Sequence, residues 1–467
     1  MKPITLASAL VLALPLAAQS PPQEKPPQST STPEIRMPVS ARNSASPAVS
    51  PAPARPGWTL AQLETLAARH NPTLRQALAV QREAAGQVHQ AGLWPNPTIG
   101  YEGDQIRGGS YGGGEQGVFV QQKVLLGHKL AAAQGVAAAT LRGQQAVTAA
   151  QQLAVRSAVR LAFYNALARQ RLVALDRRLL AIARDAVLTT RQLANVGQAN
   201  LPDELAARVE SEQAALALDQ ARRRSRGAWR ELAAVVGSPD LRPGPLAGHL
   251  APGPAPIHRA AYLQRLLSAS PAVQIAVAEL RRAEAALAQA RRRPIPDLTL
   301  RGGEQTNREL IGRNGPPVGW QSFASVGIGV PVFNRNQGNL QSAAAAVIAA
   351  REEIIRVRLQ LRRQAATEWA RYRAAVDAAG QYRIMLPQAE QAYRLYRHYY
   401  RQMAAAYPQV LVAQRTWFLL RRNYIRELAC LWRTALTLRG FFYTRGLRAA
   451  ARLRLAAPPA RNLPYAK

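Results

Sequence analysis

An internal duplication constrains this chain more than any other feature of its sequence. Three pairs of prolines share one spacing of 199 residues: Pro72 and Pro271, Pro95 and Pro294, and Pro97 and Pro296. Recurrence at one fixed offset indicates two copies of the same structural unit. We therefore predict a first repeat over 58–236, a linker over 237–257 and a second repeat over 258–440.

Each repeat shows the same succession of hydrophobic patterns. A helical pattern ends at the Pro-x-Pro element, because proline lacks a donor N–H and drives the preceding residue to extended backbone. Two alternating segments typical of β-strands follow, and then a very long helical pattern, a short break and a second helical pattern. The ranges are 60–92, 98–103, 118–123, 128–196 and 203–236 in the first repeat, and 261–293, 298–301, 324–332, 338–403 and 409–439 in the second.

The predicted fold class is mainly α with a small β part. Aromatic residues make up only 6% of the chain against 48% apolar residues, a balance that favours long helices over a β-sandwich. Two tandem repeats then form long helical hairpins plus four β-strands per chain. The strand connections at 105–115 and 304–321 are rich in Gly, Asn and Arg and are interpreted as exposed loops.

The strands have the length of roughly ten residues that a tilted membrane strand requires. Four strands cannot close a membrane barrel, and an open edge in lipid leaves backbone groups unpaired. We therefore expect oligomerisation, in which two copies supply eight strands or three copies supply twelve. Three aromatic residues stand where interfacial side chains belong, the alternative being ordinary core positions. They are Trp94, Trp320 and Phe333.

The ends of the chain differ from the repeats. Residues 1–20 have the pattern of a secretory signal peptide, and the proline-rich stretch over 21–57 is predicted to be a disordered leader. Residues 441–467 form a basic C-terminal tail. The net charge of +34 attracts polyanions such as nucleic acid, anionic lipid or lipopolysaccharide. Export argues against nucleic acid and favours outer membrane lipid as the partner.

The sequence contains no arrangement that points to catalysis, a cofactor or a metal site. A G-x-G-x-x-G pattern over 112–117 is followed by a strand, whereas a dinucleotide site requires a helix there. The six histidines show no i,i+4 pair, and a single cysteine, Cys430, excludes a cysteine-based zinc site. The arginine run at 291–293 precedes a predicted membrane strand and is interpreted as contacting lipid phosphates. We predict a protein that is not an enzyme and binds no cofactor.

Four short segments, in their order along the chain, carry a family resemblance. They are Asn71-Pro72, Pro95-x-Pro97, the stretch VPVFNRNQG at 330–338 and the stretch VLVAQR at 410–415. Over roughly 58–445 the chain resembles the TolC-like outer membrane efflux protein family, and FNRNQG is similar to its CzcC-like cation-efflux branch. The resemblance implies a homotrimer with a twelve-stranded barrel in the cell outer membrane and a helical tube across the periplasm. It also implies two partners, a periplasmic adaptor protein and an inner-membrane pump of the RND type.

The resemblance places a periplasmic aperture at the two helix breaks, where family members often carry acidic residues. The aperture residues are then Gly197, Asp203, Met403, Tyr407, Gln409 and Val412. Met403 stands at the position of Gly197 and Gln409 at that of Asp203, so an acidic ring is at most half present. Arg208 is expected to offset the charge of Asp203. Packing and uncharged hydrogen bonds are expected to hold the rest of the aperture. The alternative is that Asp203 serves only as a helix N-cap.

The predicted function is that of an outer membrane channel subunit of a tripartite efflux system. In that role the chain is a passive conduit for metal cations or drugs. Two alternatives stay open at this point. One is a TolC-like channel for protein or polysaccharide secretion, and the other is a periplasmic coiled-coil adaptor, which the four amphipathic strands oppose.

Overall fold

The computed structural model of the chain describes residues 57–108, 111–112, 114–312 and 315–449. The predicted signal peptide, nearly all of the predicted leader and the last part of the C-terminal tail lie outside the described residues. The first repeat contains β1 (Trp58–Thr59), α1 (Leu60–His70), α2 (Pro72–Ala91), β2 (Thr98–Asp104), β3 (Arg107–Gly108), β4 (Tyr111–Gly112), β5 (Glu115–Val124), α3 (Lys129–Asn195) and α4 (Leu201–Val236). The linker contains β6 (Leu246–Ala247), and the second repeat contains α5 (Arg259–Ala269), α6 (Pro271–Arg292), β7 (Leu298–Leu310), β8 (Pro317–Ile328), α7 (Gln337–Arg401) and α8 (Tyr407–Arg439).

The single helices predicted over 60–92 and 261–293 are wrong, because each is two helices in the structure. The breaks fall at Asn71 and Ser270, which both have extended backbone. Each precedes a proline, which disfavours helical backbone at the residue before it and is well tolerated as the first residue of the next helix. Both residues cap that helix. The Oδ1 atom of Asn71 accepts a 3.0 Å hydrogen bond from the N–H of Thr73, and the Oγ atom of Ser270 accepts one of 3.4 Å from Val273.

The four long strands form one antiparallel sheet in the order β2-β5-β7-β8, so the two repeats pair through β5 and β7. The loop predicted over 304–321 is largely strand, since β7 runs to Leu310 and β8 begins at Pro317. Polar residues there alternate between the two faces of the sheet, and composition alone does not distinguish such a strand from a loop. The strand predicted over 324–332 ends at Ile328, because its partner β7 begins at Leu298, opposite that residue.

The long helices form two hairpins, α3 with α4 and α7 with α8, which pack together through α3 and α8. At about 1.5 Å per residue, the 67 residues of α3 span roughly 100 Å. Where the hairpins meet α1 and α5, large side chains are fully buried, among them Leu63, Phe163, Leu167, Leu232, Leu266 and Leu438. None of the helices in the described ranges combines the length and the apolarity needed to cross a membrane.

The linker is tied to the core of the helices. Its strand β6 pairs in parallel with β1 at the start of the first repeat. The indole N–H of Trp229 donates to the carbonyl of Leu241 at 3.0 Å, and that of Trp432 donates to Leu250 at 2.8 Å. In the described part of the C-terminal tail, the carbonyl of Gly446 accepts a 2.9 Å hydrogen bond from a threonine hydroxyl of α2. These bonds hold both ends of the second repeat against the first.

Candidate functional site

One face of the four-stranded sheet is apolar and exposed in the isolated protomer. The strand register brings its side chains into rows across the sheet. They include Ile99, Tyr101, Val118, Val120, Leu300, Trp320, Val326 and Ile328. Val326 is 71% exposed and Ile99 is 75% exposed, while Glu304 interrupts the face. An exposed apolar face of this extent must be covered, and in a membrane strand it is lipid that covers it.

The opposite face of the sheet is polar. The guanidinium group of Arg301 lies 4.1 Å from the ring centre of Phe119 and 5.5 Å from that of Phe323, and it forms an ion pair with Glu102. Closer to the strand connections, Glu115 accepts two hydrogen bonds of 2.8 Å from amide side chains of β7. A sheet with one polar and one apolar face has the pattern of a barrel wall between water and lipid.

The three aromatic residues predicted at the membrane interface are all exposed, Trp94 to 57%, Trp320 to 76% and Phe333 to 91%. Their exposure opposes the alternative that they are core residues. Trp94 precedes β2 and Phe333 follows β8, so both lie at the helical end of the sheet, whereas Trp320 lies near the other end. Aromatic side chains at both ends match the two interfaces of a bilayer, and their contact with lipid headgroups stays a prediction.

The strand connections lie at the end of the sheet away from the long helices, so we expect them to face the outside of the cell. The loop centres Gly109 and Asn314 are outside the described residues, but Ile106 and Ile311 beside them are 49% and 63% exposed. Cysteines at Ile106 and Ile311 are expected to react with a membrane-impermeant maleimide on whole cells. Labelling is measured by fluorescence of the purified protein.

A matched control for this labelling lies at the other end of the molecule. Leu205, in the first turns of α4, is 51% exposed, and a cysteine there is expected to react only after lysis. All variants carry Cys430→Ser, because Cys430 is the single native thiol. Protection of the two loop cysteines on intact cells, with labelling of Leu205→Cys, would show that the topology is inverted.

The two helix hairpins turn with the same backbone geometry. Gly197 after α3 has a φ of 72° and Met403 after α7 has a φ of 59°, both left-handed. In each turn the next residue donates its N–H back to the last turn of the long helix, with an N···O distance of 2.8 Å. The structure thus aligns Gly197 with Met403 and, at the same offset, Asp203 with Gln409.

The residues predicted to form the periplasmic aperture do not share one environment. Those exposed at the tips are Gly197, Met403, Gln409 and Val412. Asp203 is half-buried. Tyr407 is only 5% exposed and its ring lies 5.7 Å from that of Tyr400, so it packs inside the protomer and does not line a mouth. For the other five residues, a place on the conduction path stays a prediction.

The surroundings of Asp203 differ from the sequence-based expectation in two ways. The N-cap of α4 is Asn200, so Asp203 is not a cap but the third residue of the first turn, where its charge favours the positive end of the helix. Arg208 does not offset Asp203, because it pairs with Glu204 at 2.6 Å. Residues four apart are neighbours on a helix surface, whereas residues five apart are not.

Two tyrosines stay uncharged where the tips of the hairpins meet. Burial raises the pKa of Tyr407 to about 12, and the nearby Glu210 carboxylate acts in the same direction. Burial also raises the pKa of Tyr400. Both hydroxyls therefore remain protonated at physiological pH. Packing between these two neutral side chains contributes to the contact between the hairpins at this level.

Two ion pairs that sequence reasoning missed join the hairpins near the tips. Arg415 on α8 donates from Nε and Nη2 to Glu210 on α4, at 2.9 and 2.6 Å. About two turns further along α8, Arg422 donates a 2.6 Å hydrogen bond to Asp176 on α3. Both carboxylates are buried, with side chains 8% and 6% exposed. The seven-residue spacing of the arginines was visible in the sequence, but the acids that face them were not.

Both repeats match a family model described as outer membrane efflux protein, over residues 63–238 and 262–440. The chain belongs to the outer membrane efflux protein family. The cobalt-zinc-cadmium resistance protein CzcC of Cupriavidus metallidurans is 30% identical over 387 residues, which cover 81% of this chain and 88% of that protein. The predicted family resemblance, including its CzcC-like character, is confirmed.

Solved structures of membrane proteins share the fold of this outer membrane efflux protein. One from Pseudomonas aeruginosa has a TM-score of 0.65 at 21% identity and covers 83% of this chain and 93% of its own. The MtrE outer membrane channel of Neisseria gonorrhoeae, in its open state, has a TM-score of 0.67 at 19% identity, with 84% and 90% covered. The predicted fold class is confirmed. So are the predicted location in the outer membrane and periplasm and the role of efflux channel subunit.

Proposed function

We propose that three copies of this chain close one twelve-stranded barrel in the outer membrane. The observation that carries the proposal is the pair of free edges, since β2 and β8 end a sheet whose one face is apolar and exposed. In lipid such edges must pair, so β2 of one copy pairs with β8 of the next. Members of the family are trimeric channels, which favours three copies over two.

The proposed partners are a periplasmic adaptor protein and an inner-membrane pump of the RND type. A passive conduit supplies no energy, so transport must be driven by another protein. The helical tips lie roughly 100 Å from the strands, which extends the channel far from the outer membrane toward such partners. Members of the family work with adaptor and pump partners, and this chain is proposed to do the same.

Metal cations are the proposed cargo. The support is the similarity to CzcC, a protein named for resistance to cobalt, zinc and cadmium. Across the described residues, no group of three or more His, Cys, Asp or Glu side chains is placed to hold a metal ion. The proposed role is therefore a path for hydrated cations that a pump delivers, without a tight binding site along the described part of the channel.

The cargo is tested by deleting the gene in its native host. The deletion strain is expected to become sensitive to cobalt, zinc and cadmium salts, with unchanged sensitivity to a hydrophobic antibiotic. The wild-type gene on a plasmid restores growth in the metals. Sensitivity to the antibiotic alone would indicate a drug channel. Loss of a secreted protein or polysaccharide with normal metal resistance would favour a secretion channel instead.

The aperture is tested by adding and removing charge at the tips. Asp203→Ala is expected to change single-channel conductance and to weaken block by multivalent cations, because it removes three carboxylates from a trimer. Gln409→Asp adds a second acidic ring and is expected to strengthen that block. Planar-bilayer recordings measure both. Tyr407→Phe, which alters a buried side chain, is the control and leaves block unchanged. If neither charge change alters cation block, both residues lie off the conduction path.

A further inference from the structure

A small cavity that is partly open to solvent lies between α3, α4 and α8, apart from both the sheet and the tips, and two of its lining residues, Arg224 and Arg426, are exposed. Its volume is about 50 Å³. A buried water needs roughly 10–15 Å³ on this measure, so the cavity has room for a group larger than one water. Its polar lining consists of Arg169, Asp176, Gln220, Arg224, Arg422 and Arg426. Four arginines face a single aspartate, so the lining carries a net charge of +3.

Three of the four arginines in this three-helix arginine cavity have no direct ion-pair partner among the described residues. Asp176 is already engaged, since it accepts a 2.6 Å hydrogen bond from Arg422. Arg169, Arg224 and Arg426 form no ion pair or hydrogen bond with any residue that the structure describes. They come from three different helices and meet at one cavity. Like charges gathered in this way repel one another, and although solvent screens Arg224 and Arg426, an anion between the three guanidinium groups lowers that repulsion.

We propose that the three-helix arginine cavity binds a single oxyanion of the phosphate type, with Arg169, Arg224 and Arg426 as donors. Guanidinium groups present paired N–H donors that match phosphate oxygens, and such charge-assisted hydrogen bonds are strong. The bound anion links α3 and α4 of the first repeat to α8 of the second. It therefore braces the two hairpins against each other, beside the buried Asp176–Arg422 pair.

The position of the cavity indicates where the anion comes from. Arg169 lies 40 residues beyond the start of α3, which is roughly 60 Å along the helix from the strands. Phosphate headgroups of the outer membrane are out of reach at that distance. The ion is therefore supplied from periplasmic solution. The site goes beyond the proposed function, because it requires neither a metal cargo nor a pump.

Equilibrium dialysis of the full-length protein in detergent, with radiolabelled inorganic phosphate, tests the proposal. Potassium chloride keeps the ionic strength constant. Binding is expected to saturate near one phosphate per protomer and to raise the unfolding temperature by about 2 °C or more. The double variant Arg224→Gln, Arg426→Gln is expected to bind at least about tenfold more weakly. Arg222→Gln, which alters an exposed arginine of α4 near Asp219, is the control and keeps full binding.

Each outcome of the dialysis decides the proposal. Saturable binding that is lost in the double variant and kept in Arg222→Gln supports it. No saturable binding by the wild type, or equal binding by the double variant, overturns it. If the double variant does not fold, Arg169→Lys keeps the charge but loses the paired donors, and unchanged affinity in that variant overturns the proposal. Preference for phosphatidylglycerol vesicles over inorganic phosphate overturns the periplasmic source. Any of these failures leaves metal export, measured by growth, untouched.

Discussion

A protein carrying Val326→Arg is expected to disappear from the outer membrane. Val326 lies on the apolar face of β8 with 71% of its surface exposed, and lipid is expected to cover that face. A charged side chain on the lipid face of a barrel costs about 2–4 kcal/mol near the middle of the bilayer. A trimer bears this cost three times. The measurement is the amount of protein in purified outer membranes, compared with wild type at equal expression.

The same strand offers a matched control on its other face. Gln321 pairs with Gln305 in the row of Glu102, on the polar face of the sheet. Gln321→Arg places the same charge in β8, and the protein is expected to reach the outer membrane in normal amounts. Equal loss of both variants would mean that β8 does not separate water from lipid. Normal insertion of Val326→Arg would show that its face is covered by protein.

Arg415→Met is expected to loosen the contact between the two hairpins. It leaves the Glu210 carboxylate, whose side chain is 8% exposed, without its partner. Removing one member of a buried ion pair costs about 3–5 kcal/mol, but Arg415 itself is half exposed, so about 1–3 kcal/mol is expected here. Chemical unfolding in detergent measures the loss. Planar-bilayer recordings are expected to show more frequent or larger openings.

Two further variants make the interpretation of Arg415→Met specific. Adding Glu210→Gln to Arg415→Met removes the buried charge and is expected to restore most of the stability. Arg394→Met breaks an exposed pair with Glu390 inside α7 and is expected to cost at most about 0.5 kcal/mol. If Arg394→Met costs as much as Arg415→Met, the pair at Glu210 has no special role in holding the hairpins.

The features that sequence predicted well are those set by local pattern. The spacing of the prolines identified the duplication, and the helical periodicity placed the hairpin turns, which the structure shows with equal geometry at Gly197 and Met403. The alternation of apolar residues located all four long strands. The two periodicities act within a few turns of helix or within one strand, and the proline spacing is read directly along the chain, so a single sequence records all three.

The features that sequence missed depend on residues far apart in the chain. The extent of β7 and β8 follows from their pairing, and sequence alone places polar residues such as Glu304 in a loop because it does not identify their strand partners. Tyr407 is buried because α7 returns against α8, and the partner of Arg415 lies 205 residues away. The unbroken helices predicted across Asn71 and Ser270 are errors of another kind, because the proline after each residue already signals a break.

Disulfide cross-linking tests whether the sheet closes only between copies of the chain. Ile99→Cys on β2 is combined in turn with Ala324→Cys, Val326→Cys and Ile328→Cys on β8, on the same face, in a Cys430→Ser background. Within one chain β2 and β8 are separated by β5 and β7, a distance of about 14 Å, too far for a disulfide. A covalently closed trimer is expected on non-reducing gels for at least one pair. Monomer alone at every register, in protein recovered from the outer membrane, would contradict it.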